Sequence, residues 1–66
     1  MNYRKVYKSH IQSVFEDECH SIIRTVMYVK THYYAMPVEF KDADHVLNDQ
    51  DKNNIIWSIL GDANDN

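Results

Sequence analysis

Seven apolar residues recur through the first half of the chain at helical intervals. Ile11, Phe15, Cys19, Ile22, Val26, Val29 and Tyr33 follow one another at spacings of 4, 4, 3, 4, 3 and 4. A helix of about 3.6 residues per turn gathers such positions into one stripe, and the later spacings approach a heptad seam. Ser13, Asp17, His20, Arg24 and Thr31 fall on the opposite face, while Val14, Ile23 and Met27 widen or flank the stripe. Only two strong backbone breakers interrupt the chain, Pro37 and Gly61. That scarcity favours long helices over a many-turned β fold. The stripe predicts one helix over about residues 4–34, roughly 45 Å long at 1.5 Å per residue. Cys19, inside it, reads as a small buried apolar residue.

Residues 24–34, RTVMYVKTHYY, admit a rival reading because β-branched and aromatic residues are enriched in strands. Strand alternation, however, places Val26, Tyr28, Lys30, His32 and Tyr34 on one mixed face. The helical stripe crosses the segment without losing phase, so helix is the expectation, with fraying or a strand after Tyr28 as the alternative.

Pro37 disfavours helical geometry at Met36 and lacks a backbone donor, so the long helix should end before it. In the following VEFKDADHVLND, Phe40, Ala43 and Leu47 are spaced 3 and 4. That permits a short helix within 38–48, and the aspartates equally permit a loop. Asn48 or Asp49 suits the cap of a last helix, and Asp49 and Asp51 suit its first turn. Gly61 suits its C-terminal stop. The expected helix covers about 49–60, leaving a frayed polar tail at 62–66 beyond a single domain of 1–61. The predicted fold is all-α: a hairpin of the long helix and the C-terminal one, with or without a short helix between them.

A chain of 66 residues buries only about 60% of its unfolded surface and often needs a staple. One cysteine excludes an internal disulfide and suits a reducing compartment. His10, Cys19, His20, His32 and His45 lack the spacing of a zinc site, and no cofactor is expected. Self-association is the remaining staple. The N-terminus MNYRKVYKSH has no apolar signal-peptide region, and no apolar run approaches the roughly 20 residues of a membrane span. The expectation is a soluble, cytoplasmic protein that does not engage membranes.

The net charge of −3 divides into +2 over residues 1–38 and −5 over residues 39–66. Polarised charge suits orientation of a protein partner, and the acidic half opposes general nucleic-acid affinity. Glu16, Asp17 and Glu18 diverge on a helix rather than converging as catalytic carboxylates must. Ser13, Ser21, Ser58, Cys19 and the histidines carry no nucleophile signature, and there is no phosphate-binding glycine loop. The chain reads as non-enzymatic.

Two surfaces stand out as candidates. In the last helix Ile55, Ile56, Trp57, Ile59 and Leu60 fan across roughly 200° at about 100° per residue, wider than the stripe near 100° that one partner usually covers. This assigns Ile56, Trp57 and Leu60 to an interaction surface, together with Tyr28, and makes a protein, including a second copy of the chain, the expected partner. The alternative surface is Arg4, Lys5 and Lys8, which with Tyr3 and Tyr7 form a basic-aromatic cluster able to meet nucleic acid.

The opening MNYRKVYKSHIQSVF, the single-domain length and the acidic, Asn/Asp-rich ending resemble the small accessory proteins encoded in the early region of lambda-type phages, between the recombination and excision genes. The resemblance implies a helical protein, made early in infection or induction, that influences lytic–lysogenic development or host physiology by binding other proteins. It implies no particular functional residues.

Overall fold

The computed structural model describes residues 2–64. It is all-α, with helices α1 (Tyr3–Asp17), α2 (Ile22–Thr31), α3 (Val38–Val46) and α4 (Asp49–Asn64), and one 3-10 turn at Tyr33–Ala35. No strand occurs among the described residues.

The expected long helix is two helices. Its extension to about 45 Å would exceed the longest dimension of the molecule, 32 Å. The break falls at 18–21 and is built without glycine. Cys19 and His20 both adopt left-handed backbone angles, φ 57° and 58°. The His20 N–H donates to the Phe15 carbonyl at 2.9 Å, and the Glu18 N–H donates to that of Val14 at 2.8 Å. These bonds satisfy carbonyls that the last turn of a helix leaves open, as in a Schellman cap. Ser21 then starts α2, its hydroxyl oxygen accepting from the Arg24 N–H. The Thr25 hydroxyl donates to the Ser21 carbonyl at 2.7 Å, and Thr25 is fully buried. Cys19, expected in the core, is therefore exposed at the turn.

The break also divides the stripe. Ile11 and Phe15 remain buried. Beyond the turn the helical phase starts afresh, so Ile22, Val29 and Tyr33 pack only partly against the core while Val26 is exposed. Helix α2 runs through Thr31, and the chain closes into the 3-10 turn rather than a strand.

Within residues 38–48 the short helix forms, over Val38–Val46, with Leu47 extended behind it. Phe40 and Lys41 donate their N–H groups to the Pro37 carbonyl, both at 3.1 Å, and Phe40, Ala43 and Leu47 all face the core. Phe40 is wholly buried. Its ring stacks on Tyr7 with centroids 5.3 Å apart and meets His10 edge-on at 5.7 Å. At the start of α4, the Asn48 side chain accepts from the Asp51 N–H at 2.8 Å, the expected cap. Gly61 does not end α4, which continues to Asn64. The glycine has no positive φ, so it makes no left-handed stop. Residues 65 and 66 of the expected tail lie outside the described residues.

The arrangement is not a two-helix hairpin. Helix α1 packs on each of the other three helices, which scarcely approach one another backbone to backbone. Helices α1 and α4 run in the same direction. Near both N-termini Arg4 pairs with Asp51 at 2.9 Å, and further along Lys8 reaches Ser58 at 3.1 Å and Asp62 at 3.5 Å.

Candidate functional site

With α1 as the floor and α2 and α4 on either side, a cleft of about 430 Å³ remains between the flanking helices. Its floor is Tyr7 and Ile11, and its apolar walls are Val26 and Val29 of α2 and Ile56 of α4. One end is closed by a polar network. The Tyr33 hydroxyl donates to Asp44 at 2.9 Å, and Asp44 also pairs with Lys52 at 2.9 Å. Burial raises the Tyr7 hydroxyl to about 12, reinforced by the negative charge of Asp44. Tyr33 is raised too, by burial first and then by its bond to Asp44.

Apolar surface extends outwards from the cleft. On α2, Ile23 and Met27 are 72% and 64% exposed, and with Val26 and Lys30 they follow the i, i+3, i+4, i+7 spacing of one helical face. On α4, Trp57 is 77% exposed. Other large apolar side chains are exposed away from the cleft, Tyr34 in the 3-10 turn and Val38 and Val46 on α3; those on α2 differ in lying on the helical face that also lines the cleft.

The four residues assigned to interaction from sequence are only partly brought together. Ile56 lines the cleft. Leu60 packs partly against the core, and Trp57 lies on the outer flank of the same helix. Tyr28 sits elsewhere: two positions on from Val26, it projects about 200° around α2, where it stacks on His32 with centroids 4.2 Å apart. In a single unbroken stripe Ile23 and Met27 would be flanks of the core. Their N-cap signal, Ser21 before a β-branched run, was the one local sign that the phase restarts there.

The alternative cluster is split by pairing. Arg4 sits on Asp51 and Lys8 on Ser58 and Asp62, leaving Lys5 exposed. A phosphate backbone would have to compete with those carboxylates. Among the residues considered for chemistry, Ser21 caps α2, Ser58 accepts from Lys8, and the His20 ring lies edge-on to Phe15 at 5.3 Å. Among the described residues, no three His, Cys, Asp or Glu side chains converge as a metal ligand set, and no helix is long and apolar enough to cross a membrane.

No protein-family model, curated protein or solved structure matches the chain.

Proposed function

We propose that the chain is a small non-enzymatic interaction protein that engages a protein partner through the α2–α4 cleft and the apolar residues beside it. The observation that carries this reading is the exposure of Ile23 and Met27 on the helix whose Val26 and Val29, with Ile56 of α4, wall the cleft. A cleft between two helices with an apolar floor suits the apolar face of a further helix. Trp57, exposed on α4, is of the residue type that most often anchors interfaces. The sequence resemblance to early-region accessory proteins of lambda-type phages supplies a setting: a regulatory factor acting on development or on the host through such contacts.

The test is site-specific photo-crosslinking in a bacterial host. A photo-reactive phenylalanine analogue replaces Met27 in one variant and Ser9, an exposed polar position on α1, in another. A discrete protein adduct from position 27 and none from position 9 is the expected result. Adducts of equal yield from both positions, or from neither, would overturn the reading.

A further inference from the structure

We infer that the occupant of this surface is a second copy of the chain, docked reciprocally so that α2 of each copy lies against α4 of the other. The inference rests on the interaction reading above and names its partner.

The two helices complement each other in shape-filling apolar groups and in charge. Helix α2 presents Ile23, Val26 and Met27, all exposed. Helix α4 presents Trp57 on its outer flank and Ile56 in the cleft. Each copy therefore carries both a large aromatic anchor and an apolar face able to receive one. Helix α2 has two cations, Arg24 and Lys30, and no acidic residue, whereas α4 has three aspartates and a single lysine. Among the described residues, Arg24 and Lys30 form no ion pair, nor does Asp49 at the start of α4, while Asp51 and Asp62 pair with α1. The charge left over is positive on α2 and negative on α4.

Packing α2 on α2 would set like charges against each other, which is destabilising, whereas α2 on α4 sets opposite charges together. A two-fold axis makes that contact twice, because in such an interface residue i meets j and j meets i. Two modest contacts made simultaneously reinforce each other, and a chain of this size has much to gain from association. A foreign acidic helix would satisfy α2 alone and leave Trp57 uncovered.

The experiment is sedimentation velocity across a concentration series on the full chain, on Met27→Asp, on Trp57→Ala, and on an equimolar mixture of the two variants. Both positions are exposed, and unchanged circular dichroism and melting temperature would verify that each variant folds. The wild type is expected to dimerise, and each variant to do so at least about tenfold more weakly. The mixture decides the geometry. A heterodimer of the two variants keeps one contact between an unaltered α2 and an unaltered α4, so it should associate more strongly than either variant alone. No recovery in the mixture would overturn the reciprocal arrangement, as would a Trp57→Ala variant that dimerises like the wild type. A wild-type chain that stays monomeric throughout would also overturn it. If that monomer still gave a heterologous adduct from position 27, the interaction reading would stand without self-association. Absence of both would remove both.

Discussion

The ring of His20 meets the ring of Phe15 edge-on, with centroids 5.3 Å apart, while the His20 N–H donates to the Phe15 carbonyl. A side-chain contact and a backbone bond between the same two residues hold the turn that splits the expected long helix. The turn forces Cys19 to φ 57°, where a Cβ costs roughly 1–2 kcal/mol that glycine avoids. Cys19→Gly should therefore stabilise the protein by about 1 kcal/mol, read as a higher urea midpoint at unchanged slope. A lower midpoint would mean that the thiol contributes more than the backbone costs.

Gly61 is the reverse case. It lies within α4 without a positive φ, and a Cβ built on it meets nothing within 4 Å. Gly61→Ala should stabilise by about 0.5–1 kcal/mol through helix propensity. Thermal unfolding would detect this as a rise in Tm, and no rise would indicate that the end of α4 is frayed in solution.

Helix α1 is charged against its own dipole. Arg4 and Lys5 stand in its first turn, and its last turn holds Glu16 and Asp17 with no basic residue. The N-terminal cations are offset in part by carboxylates of α4, through Arg4–Asp51 and Lys8–Asp62. Glu16 instead lines a cleft that also contains Asp62. Glu16→Lys should add about 0.3–1 kcal/mol at low salt, and the gain should shrink as salt rises. A salt-independent change would point to packing instead.

The Tyr7 hydroxyl is raised from 10.0 to about 12, first by burial and then by Asp44. In the unfolded chain a tyrosine ionises near its ordinary value of about 10. Below that pH both states keep the proton and stability keeps its full value. Above it the unfolded state releases the proton first, so stability falls as pH rises from 10 towards about 12. Tyr33 shifts in the same direction and adds to the loss. Denaturant titrations across that range should show a shallower decline for Tyr7→Phe, which keeps the ring stacked on Phe40. An identical decline would assign the alkaline loss to other groups.

Much of the helical content was legible, and the reasons for the exceptions are local. Ile11 and Phe15 are one turn apart and both buried, and Asn48 caps α4 as its side-chain chemistry suggests. Phe40, Ala43 and Leu47 had the right spacing, yet neighbouring aspartates left helix and loop balanced until Phe40 found Tyr7 and His10 on another helix. The turn at 18–21 was hidden because left-handed positions are normally marked by glycine, and here they are occupied by Cys19 and His20. The one glycine near a helix end pointed to a stop that does not occur. The candidate site inherits both effects. The over-wide apolar fan around Trp57 is visible because α4 is unbroken there, whereas carrying one phase across the turn makes Ile23 and Met27 flanks of a buried stripe when they are exposed.

The placement of α1 between three helices whose backbones scarcely approach one another makes it the rod to which each attaches, with the Asp44–Lys52 pair tying α3 to α4 besides. Only Thr25 of α2 is buried, against three residues of α1. Local openings draw on elements with little buried surface, so α2 can leave its seat while the Tyr7–Phe40 stack and the α1–α4 ion pairs persist. Native-state hydrogen exchange should find the α2 amides opening at a lower free energy than those of α1, whose loss dissolves every attachment at once. The element proposed to meet a partner is thus also the helix with the fewest buried residues, and its occupancy by another molecule would fasten the protein shut.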